Sequence, residues 1–112
     1  MGNSDARLLR RKFARELVRG LRVTWPILSG LLAAIILFGV LIGSIEGWTL
    51  EEAIYFSSVT WMTIGYGDFV PGTLLTRMLS FLIGICGLLL AAILAAIAVK
   101  ALQTALEDRD GR

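Results

Sequence analysis

The sequence of 112 residues contains no histidine, a single cysteine and few charged side chains, which make up 18% of the chain. The lack of histidine excludes a histidine metal ligand, a histidine general base and pH sensing by histidine. A single cysteine, Cys86, excludes a disulfide scaffold. Soluble domains average about 25% charged residues, so the low charge content, together with 56% hydrophobic residues, excludes a soluble enzyme. The sequence shows no nucleophile–base pair, metal cluster or nucleotide-binding loop, and we expect neither enzymatic activity nor a cofactor.

The chain instead has two long hydrophobic segments, residues 25–45 and 78–99, in which no charged residue occurs. As a helix rising about 1.5 Å per residue, each segment matches a hydrocarbon core about 30 Å thick. The first segment is too long for the hydrophobic part of a signal peptide, which has about 7–15 residues. The pattern therefore predicts one small membrane domain with two transmembrane helices.

Charge distribution predicts the orientation of these helices. Basic residues dominate before Trp25, whereas the segment between the two spans is acidic on balance. The positive-inside rule then assigns both termini to the cytoplasm of a multi-pass cell-membrane protein. This arrangement suits a bacterial inner membrane, and a eukaryotic plasma membrane stays open as the alternative.

Residues 1–24 have a periodic pattern of their own. Apolar residues recur every four positions, and basic residues occupy the other side of the same helix: Leu9, Phe13, Leu17 and Leu21 against Arg7, Arg11, Arg15, Arg19 and Arg22. This pattern predicts a basic amphipathic helix on the cytoplasmic membrane surface, against anionic lipid. The alternative is a charge cluster that only sets the topology. We expect no nucleic-acid binding, because the charge adjoins a membrane span, and Pro26 suits the start of that span.

A short helix is predicted between the spans. Thr49 and Glu52 form a capping-box pattern, with Thr49 as the N-cap. The helix should cover residues 50–62, which reach only about 20 Å at about 1.5 Å per residue. Because this helix is apolar on most faces and too short to span, we expect it to be re-entrant.

Residues 63–68 read TIGYGD, which resembles the TVGYG filter signature of potassium channels. The resemblance covers about residues 25–100, because a first span, a capped short helix, the filter, Pro71, Arg77 and Gly87 follow in the same order. The pore module of bacterial two-transmembrane potassium channels has this layout. It implies an all-α membrane protein with two transmembrane helices, a re-entrant pore helix and a filter loop, assembled as a homotetramer.

The chemistry of the motif follows from the solvation of a cation. A dehydrated cation needs oxygen ligands, and a strand supplies them only if its carbonyls point the same way. Gly65 and Gly67 can take positive φ and so break the normal alternation. The expected K⁺ ligands are the carbonyls of Thr63, Ile64, Gly65 and Tyr66 with the Thr63 hydroxyl. The resemblance implies that K⁺ is the permeant ion.

The resemblance also suggests roles for residues around the filter. Asp68 would form a ring of carboxylates at the outer mouth, and the Tyr55 hydroxyl would bond to it. Val59 stands where many relatives carry a glutamate, which suggests an altered rate of filter inactivation. Trp61 would fill the gap between subunits. Met62 stands just below the filter, where packing is the simpler role.

The second span would contain the gate. The resemblance assigns Gly87 to the hinge of the inner helix, and positions facing the cavity and inner gate would be Leu88, Ala91, Ala95 and Val99. Small residues also let membrane helices pack closely, which is the simpler explanation for the alanines. Residues 101–112 would be a cytoplasmic tail. The sequence contains no arginine-rich voltage-sensor helix, and it leaves the gating stimulus open.

Potassium-selective conduction through a tetrameric pore is the function that these features predict. One alternative is a cation channel that selects poorly between sodium and potassium. The other is a small two-span membrane protein that assembles or regulates a partner. Substitution of Gly65 or Gly67 by alanine would be silent in that last case and would abolish current in a channel.

Overall fold

The computed structural model describes residues 2–110, which form three α-helices and no strand within that range. Helix α1 covers Asn3–Glu46, α2 covers Leu50–Trp61 and α3 covers Leu74–Asp110. Both α1 and α3 are long and apolar enough to cross a membrane, and they contain the two predicted spans. The all-α prediction with two long apolar helices is therefore confirmed.

The start of the first span differs from the prediction. Pro26 lies inside α1, not at the first position of a new helix, so that expectation was wrong. The helix continues through this point, and the Thr24 hydroxyl donates to the Gly20 carbonyl at 2.8 Å, in the preceding turn of the same helix. The amphipathic segment before Pro26 is itself helical, and the two long flanking segments outweigh the cost of an internal proline, about 3 kcal/mol.

Helix α3 begins at Leu74, before the predicted residue 78, because a local cap starts it there. The Thr76 N–H donates to the Thr73 hydroxyl at 3.2 Å, which satisfies one of the free donors of the first turn. The helix also continues to Asp110, through most of the predicted tail.

Contacts divide the described residues into two compact units. One unit consists of residues 27–91, and the other combines 2–26 with 92–110. In the first unit, the fully buried side chains of Ile35, Ile42 and Ile83 form the core. In the second unit, Ala101 and Ala105 are buried, and Gly20 contacts the side chain of Ile97.

Two glycines on α1 bring α2 into contact with it. A Cβ atom added at Gly43 would lie 2.6 Å from Cβ of Ala53, and one at Gly39 would collide with the Ser57 hydroxyl. Ser57 is buried and donates to the Ala53 carbonyl at 2.8 Å. The close approach of these helices fixes the position of α2, and α2 carries the candidate site at its C-terminal end.

Candidate functional site

Helix α2 begins with the predicted capping box. The Glu52 N–H donates to the Thr49 hydroxyl at 3.2 Å, and the Thr49 N–H donates to the Glu52 carboxylate at 2.9 Å. The helix ends at Trp61 with Met62 as its C-cap, so its predicted range of 50–62 is confirmed to within one residue. The cap fixes where α2 starts, and the length of α2 then fixes where the TIGYGD segment leaves it.

The TIGYGD segment is bonded to the end of α2. The N–H groups of Ile64 and Gly65 both donate to the Val59 carbonyl, at 2.9 and 3.0 Å. Val59 itself is buried and apolar, as the sequence indicates. Two hydrogen bonds on one carbonyl hold the first part of the segment directly at the helix C-terminus. The partial negative charge of a helix C-terminus favours a cation nearby.

Alternate residues of the segment have left-handed backbone conformations. The φ angles are +61° at Thr63, +57° at Gly65 and +82° at Gly67. The predicted positive φ at the two glycines is confirmed. The positive φ at Thr63 was not predicted, because a β-branched residue rarely takes positive φ and is strained there. Its hydroxyl donates to the Met62 carbonyl at 2.6 Å; its use as an ion ligand stays a prediction.

Asp68 is supported by two neighbours at the end of the segment. Asp68 raises the pKa of Tyr55 above its usual value, first because a neighbouring carboxylate favours the protonated hydroxyl, then through desolvation and the Asp68 charge. The Phe69 N–H donates to the Asp68 carboxylate at 3.1 Å. The Phe69 ring packs edge-on against Tyr55 and Trp48, with ring centroids 5.9 and 5.4 Å away. The structure places Tyr55 in the neighbourhood of Asp68, and the hydrogen bond between them stays a prediction.

Sequence reasoning missed Glu46, the last residue of α1. Its carboxylate accepts hydrogen bonds from the Gly72 N–H at 2.8 Å and the Thr76 hydroxyl at 2.6 Å. Thr76 is fully buried, and Arg77 donates from Nε to the Pro71 carbonyl at 3.3 Å. These bonds hold the chain that follows the TIGYGD segment. The sequence contained one signal for this role: Glu46 is the carboxylate that directly follows the charge-free segment 25–45.

Gly87 packs against the end of α2. A Cβ atom there would lie 2.7 Å from the Trp61 carbonyl oxygen and 2.8 Å from its Cα, so only glycine fits without a shift of backbone. The hinge role of Gly87 and the space-filling role of Trp61 between subunits stay predictions. Met62 is exposed in the single chain. So are the four positions predicted to face a cavity, namely Leu88, Ala91, Ala95 and Val99.

Metal chelation by acidic, histidine or cysteine side chains has no candidate in residues 2–110. No group of three or more such side chains is close enough to hold an ion there. The use of backbone carbonyls of the TIGYGD segment as cation ligands stays a prediction.

Comparison with known proteins gives a family match and partial relatives. A family model described as an ion channel matches residues 30–104. A protein of Rhodopseudomonas palustris whose name proposes it as a potassium channel is 39% identical over 62 residues, 55% of this chain and 15% of that protein. The human potassium channel subfamily K member 10 is 48% identical over 46 residues, which are 41% of this chain and 9% of the human one.

A third relative is the intermediate conductance calcium-activated potassium channel protein 4 of Rattus norvegicus, 35% identical over 54 residues, which are 48% of this chain and 13% of the rat protein. The matched parts of these three relatives are thus no more than 15% of their own lengths. No solved structure matches the chain significantly.

Proposed function

Because the chain belongs to the ion channel family whose model matches residues 30–104, we propose that it conducts potassium ions selectively and passively across a cell membrane. The observation that carries this proposal is the alternation of positive φ at Thr63, Gly65 and Gly67, directly after the C-terminus of α2. An extended strand turns successive carbonyls in opposite directions, and left-handed residues at every second position counter that reversal. The three relatives named above are potassium channels by name, which supports the choice of ion.

The proposed ligands are backbone oxygens. The carbonyls of residues 63–66 replace the hydration shell of K⁺, which would otherwise cost several kcal/mol or more to remove. The Thr63 hydroxyl adds a ligand once it leaves the Met62 carbonyl. Gly67 completes the segment, and the C-terminus of α2 adds a favourable partial charge. Potassium is the cargo here, and the proposal includes no resident cofactor and no enzymatic activity.

One chain supplies one strand, so we propose a homotetramer that closes the ring. The geometry of ion coordination supports this assembly, because one strand contacts a cation on one side only and carbonyls from several copies are needed to surround it. In the tetramer, α2 is a re-entrant pore helix, Ile64 and Tyr66 point away from the pore, and Trp61 packs between neighbouring copies.

Residues around the segment set the mouth and the gate. Asp68 carboxylates from the copies concentrate cations at the outer mouth, with Tyr55 holding each one in place. Val59 leaves the filter without a carboxylate behind it, which alters the rate of inactivation. We assign the hinge of α3 to Gly87, and the cavity lining consists of Leu88, Ala91, Ala95 and Val99.

The proposed membrane orientation places both termini in the cytoplasm. The basic side of α1, which carries Arg7, Arg11 and Arg15, then faces the headgroups of anionic lipids. Each basic residue near such a surface contributes about 1 kcal/mol of attraction. The excess of basic residues before residue 25 supports this orientation, because cytoplasmic segments carry more lysine and arginine.

The test is the reversal potential of the purified protein in a planar bilayer, with potassium on one side and sodium on the other. We expect reversal close to the potassium equilibrium potential. Gly65→Ala should abolish this current, and Gly30→Ala is the matched control. Both glycines have open space for a methyl group, but only Gly65 has a positive φ. The comparison therefore isolates the backbone conformation from steric crowding.

Three results would contradict the proposal in different ways. Current that reverses near zero would identify a poorly selective cation channel. Equal currents in Gly65→Ala and Gly30→Ala would show that conduction does not depend on the backbone conformation of the TIGYGD segment. An absence of current, with no tetramer on crosslinking, would favour the two-span assembly protein.

A further inference from the structure

Ser57 lies in the middle of α2, on the face that packs against Gly39 of α1. Both residues are buried, and Ser57 is 2% exposed. A Cβ atom added at Gly39 would collide with the Ser57 hydroxyl and would lie 2.9 Å from Ser57 Cβ. Real Cβ atoms essentially never approach another heavy atom within 3.0 Å. The two helices therefore meet at this point without room for one methyl group.

The Ser57 side chain cannot make this room by rotating. Its hydroxyl donates to the Ala53 carbonyl at 2.8 Å, and a buried hydroxyl that loses its acceptor is costly. Rotation also leaves Ser57 Cβ where it is, 2.9 Å from the added atom. A larger side chain at residue 39 must therefore move the backbone of α2 or of α1.

Movement of α2 at Ser57 reaches the TIGYGD segment through the Val59 carbonyl. This carbonyl lies two residues further along the helix and accepts the N–H groups of Ile64 and Gly65 at 2.9 and 3.0 Å. A displacement of α2 therefore displaces the acceptor that holds two consecutive amides of the segment.

The same two bonds set the direction of two carbonyls. In a trans peptide unit, the N–H group and the preceding carbonyl lie in one plane and point in opposite directions. The peptide units of residues 2–110 are trans. Because the N–H groups of Ile64 and Gly65 point at Val59, the carbonyls of Thr63 and Ile64 point away from it. These carbonyls are two of the proposed ion ligands.

The end of α2 is also in close contact with α3. A Cβ atom at Gly87 would lie 2.7 Å from the Trp61 carbonyl oxygen, so this contact has no spare room either. A displacement of α2 is therefore transmitted to the TIGYGD segment instead of being absorbed at the end of the helix.

We propose that the contact between Gly39 and Ser57 positions the carbonyls of Thr63 and Ile64, and that a methyl group at residue 39 lowers the selectivity for potassium over sodium. Selectivity depends on the space between the carbonyls and on how many of them reach the ion, and both depend on backbone position. The positions of the carbonyls follow from contacts within one chain, whereas their effect on selectivity rests on the proposed function.

Hydrogen exchange of the full-length protein in detergent measures the positioning at the Ile64 and Gly65 amides. We expect Gly39→Ala to accelerate exchange at both amides about tenfold, the equivalent of about 1.4 kcal/mol, which lies within the range for overpacking. Gly30→Ala is the matched control and should leave the exchange unchanged. Gly30 also lies on α1, and a methyl group there meets no atom within 4 Å.

A second substitution at residue 57 distinguishes this contact from general destabilisation. Gly39→Ala/Ser57→Gly removes both close atoms of Ser57 and leaves the Ala53 carbonyl oxygen, at 3.4 Å, as the nearest atom of the three. We expect exchange at both amides to return to the rate of Ser57→Gly alone. Gly39→Ala/Ser57→Ala retains the Cβ contact at 2.9 Å and should recover only in part. The two double variants decide the question even if Gly39→Ala alone does not fold.

Two results of the exchange experiment would overturn the proposal. Equal exchange at the two amides in Gly39→Ala and Gly30→Ala, together with a lower melting temperature in Gly39→Ala, would show that the contact only stabilises the fold. Equal exchange in the two double variants would show that recovery does not follow the distances to Ser57.

The reversal potential with potassium on one side and sodium on the other measures the effect on conduction. We expect the permeability ratio of potassium to sodium to fall about tenfold in Gly39→Ala, for the same displacement, and to recover in Gly39→Ala/Ser57→Gly. An unchanged ratio despite faster exchange would overturn the link to selectivity. A wild-type current that reverses near zero would contradict the proposed function, and the exchange rates would still decide whether Gly39 and Ser57 position the segment.

Discussion

Residues 27–91 and the unit formed by 2–26 with 92–110 are held by different kinds of contact. In residues 27–91, an isoleucine core is supplemented by contacts through backbone atoms and a carboxylate: Gly87 meets the Trp61 backbone, and Glu46 bonds to Gly72. In the other unit, α1 and α3 meet through side chains, with Ile97 on Gly20 and Ala105 buried. Backbone contacts fix atomic positions, whereas aliphatic side chains can shift. Atomic positions are therefore fixed more firmly in residues 27–91, which contain the proposed filter, than in the other unit.

The largest effect should come from adding a methyl group at Gly87. We expect Gly87→Ala to lower the free energy of unfolding by about 3 kcal/mol, the upper end for overpacking, because the Trp61 backbone cannot move aside alone. Thermal melting in detergent measures the change. Gly84→Ala is the control, since it lies on the same helix and a methyl group there meets no atom within 4 Å. Equal melting temperatures for both variants would show that the α2–α3 contact is not rigid.

A smaller effect is expected when the carboxylate of Glu46 is removed. Glu46→Ala removes the acceptor of the Gly72 N–H, whereas the Thr76 hydroxyl can still donate to the Thr73 carbonyl at 3.1 Å. We expect a cost of about 2 kcal/mol, the size of a hydrogen bond to a charged group. Hydrogen exchange should accelerate at the Gly72 amide by about thirtyfold. Glu51→Ala, at an exposed position in the first turn of α2, should leave this amide unchanged. An unchanged exchange rate at the Gly72 amide in Glu46→Ala would show that Glu46 does not hold the chain after the TIGYGD segment.

The smallest effect is expected in the other unit, at Gly20. A methyl group there meets Cγ2 of Ile97, which can move, and alanine favours a helix over glycine by about 1 kcal/mol. We therefore expect Gly20→Ala to change the free energy of unfolding by less than about 1 kcal/mol, as measured by the same melt. A loss as large as that of Gly87→Ala would mean that both units are equally rigid.

The features that the sequence predicted correctly depend on neighbouring residues. The start of α2 follows from Thr49 and Glu52, three positions apart, and the positive φ at Gly65 follows from the residue type alone. The proximity of Tyr55 to Asp68 came from the family resemblance and agrees with the structure.

The missed features depend on distant partners or on strain. Glu46 meets Gly72 and Thr76 across 26 and 30 residues of sequence, and no local pattern marks such a pairing. The φ of +61° at Thr63 opposes the preference of its own side chain, so the surrounding chain must impose it. The continuation of α1 through Pro26 was missed because proline more often marks a helix start than an interior position.

The bonds of Glu46 also have a consequence for the order of folding. In polymer terms, the bond from Gly72 to Glu46 closes a chain loop of 26 residues, and the whole of α2 and the TIGYGD segment lie inside it. The entropy lost on closing a loop grows slowly with its length, so a preformed α2 makes closure less costly by shortening the flexible part. We infer that α2 forms before the loop closes. The hydrogen bond between Gly72 and the Glu46 carboxylate then forms late and stabilises the folded TIGYGD segment.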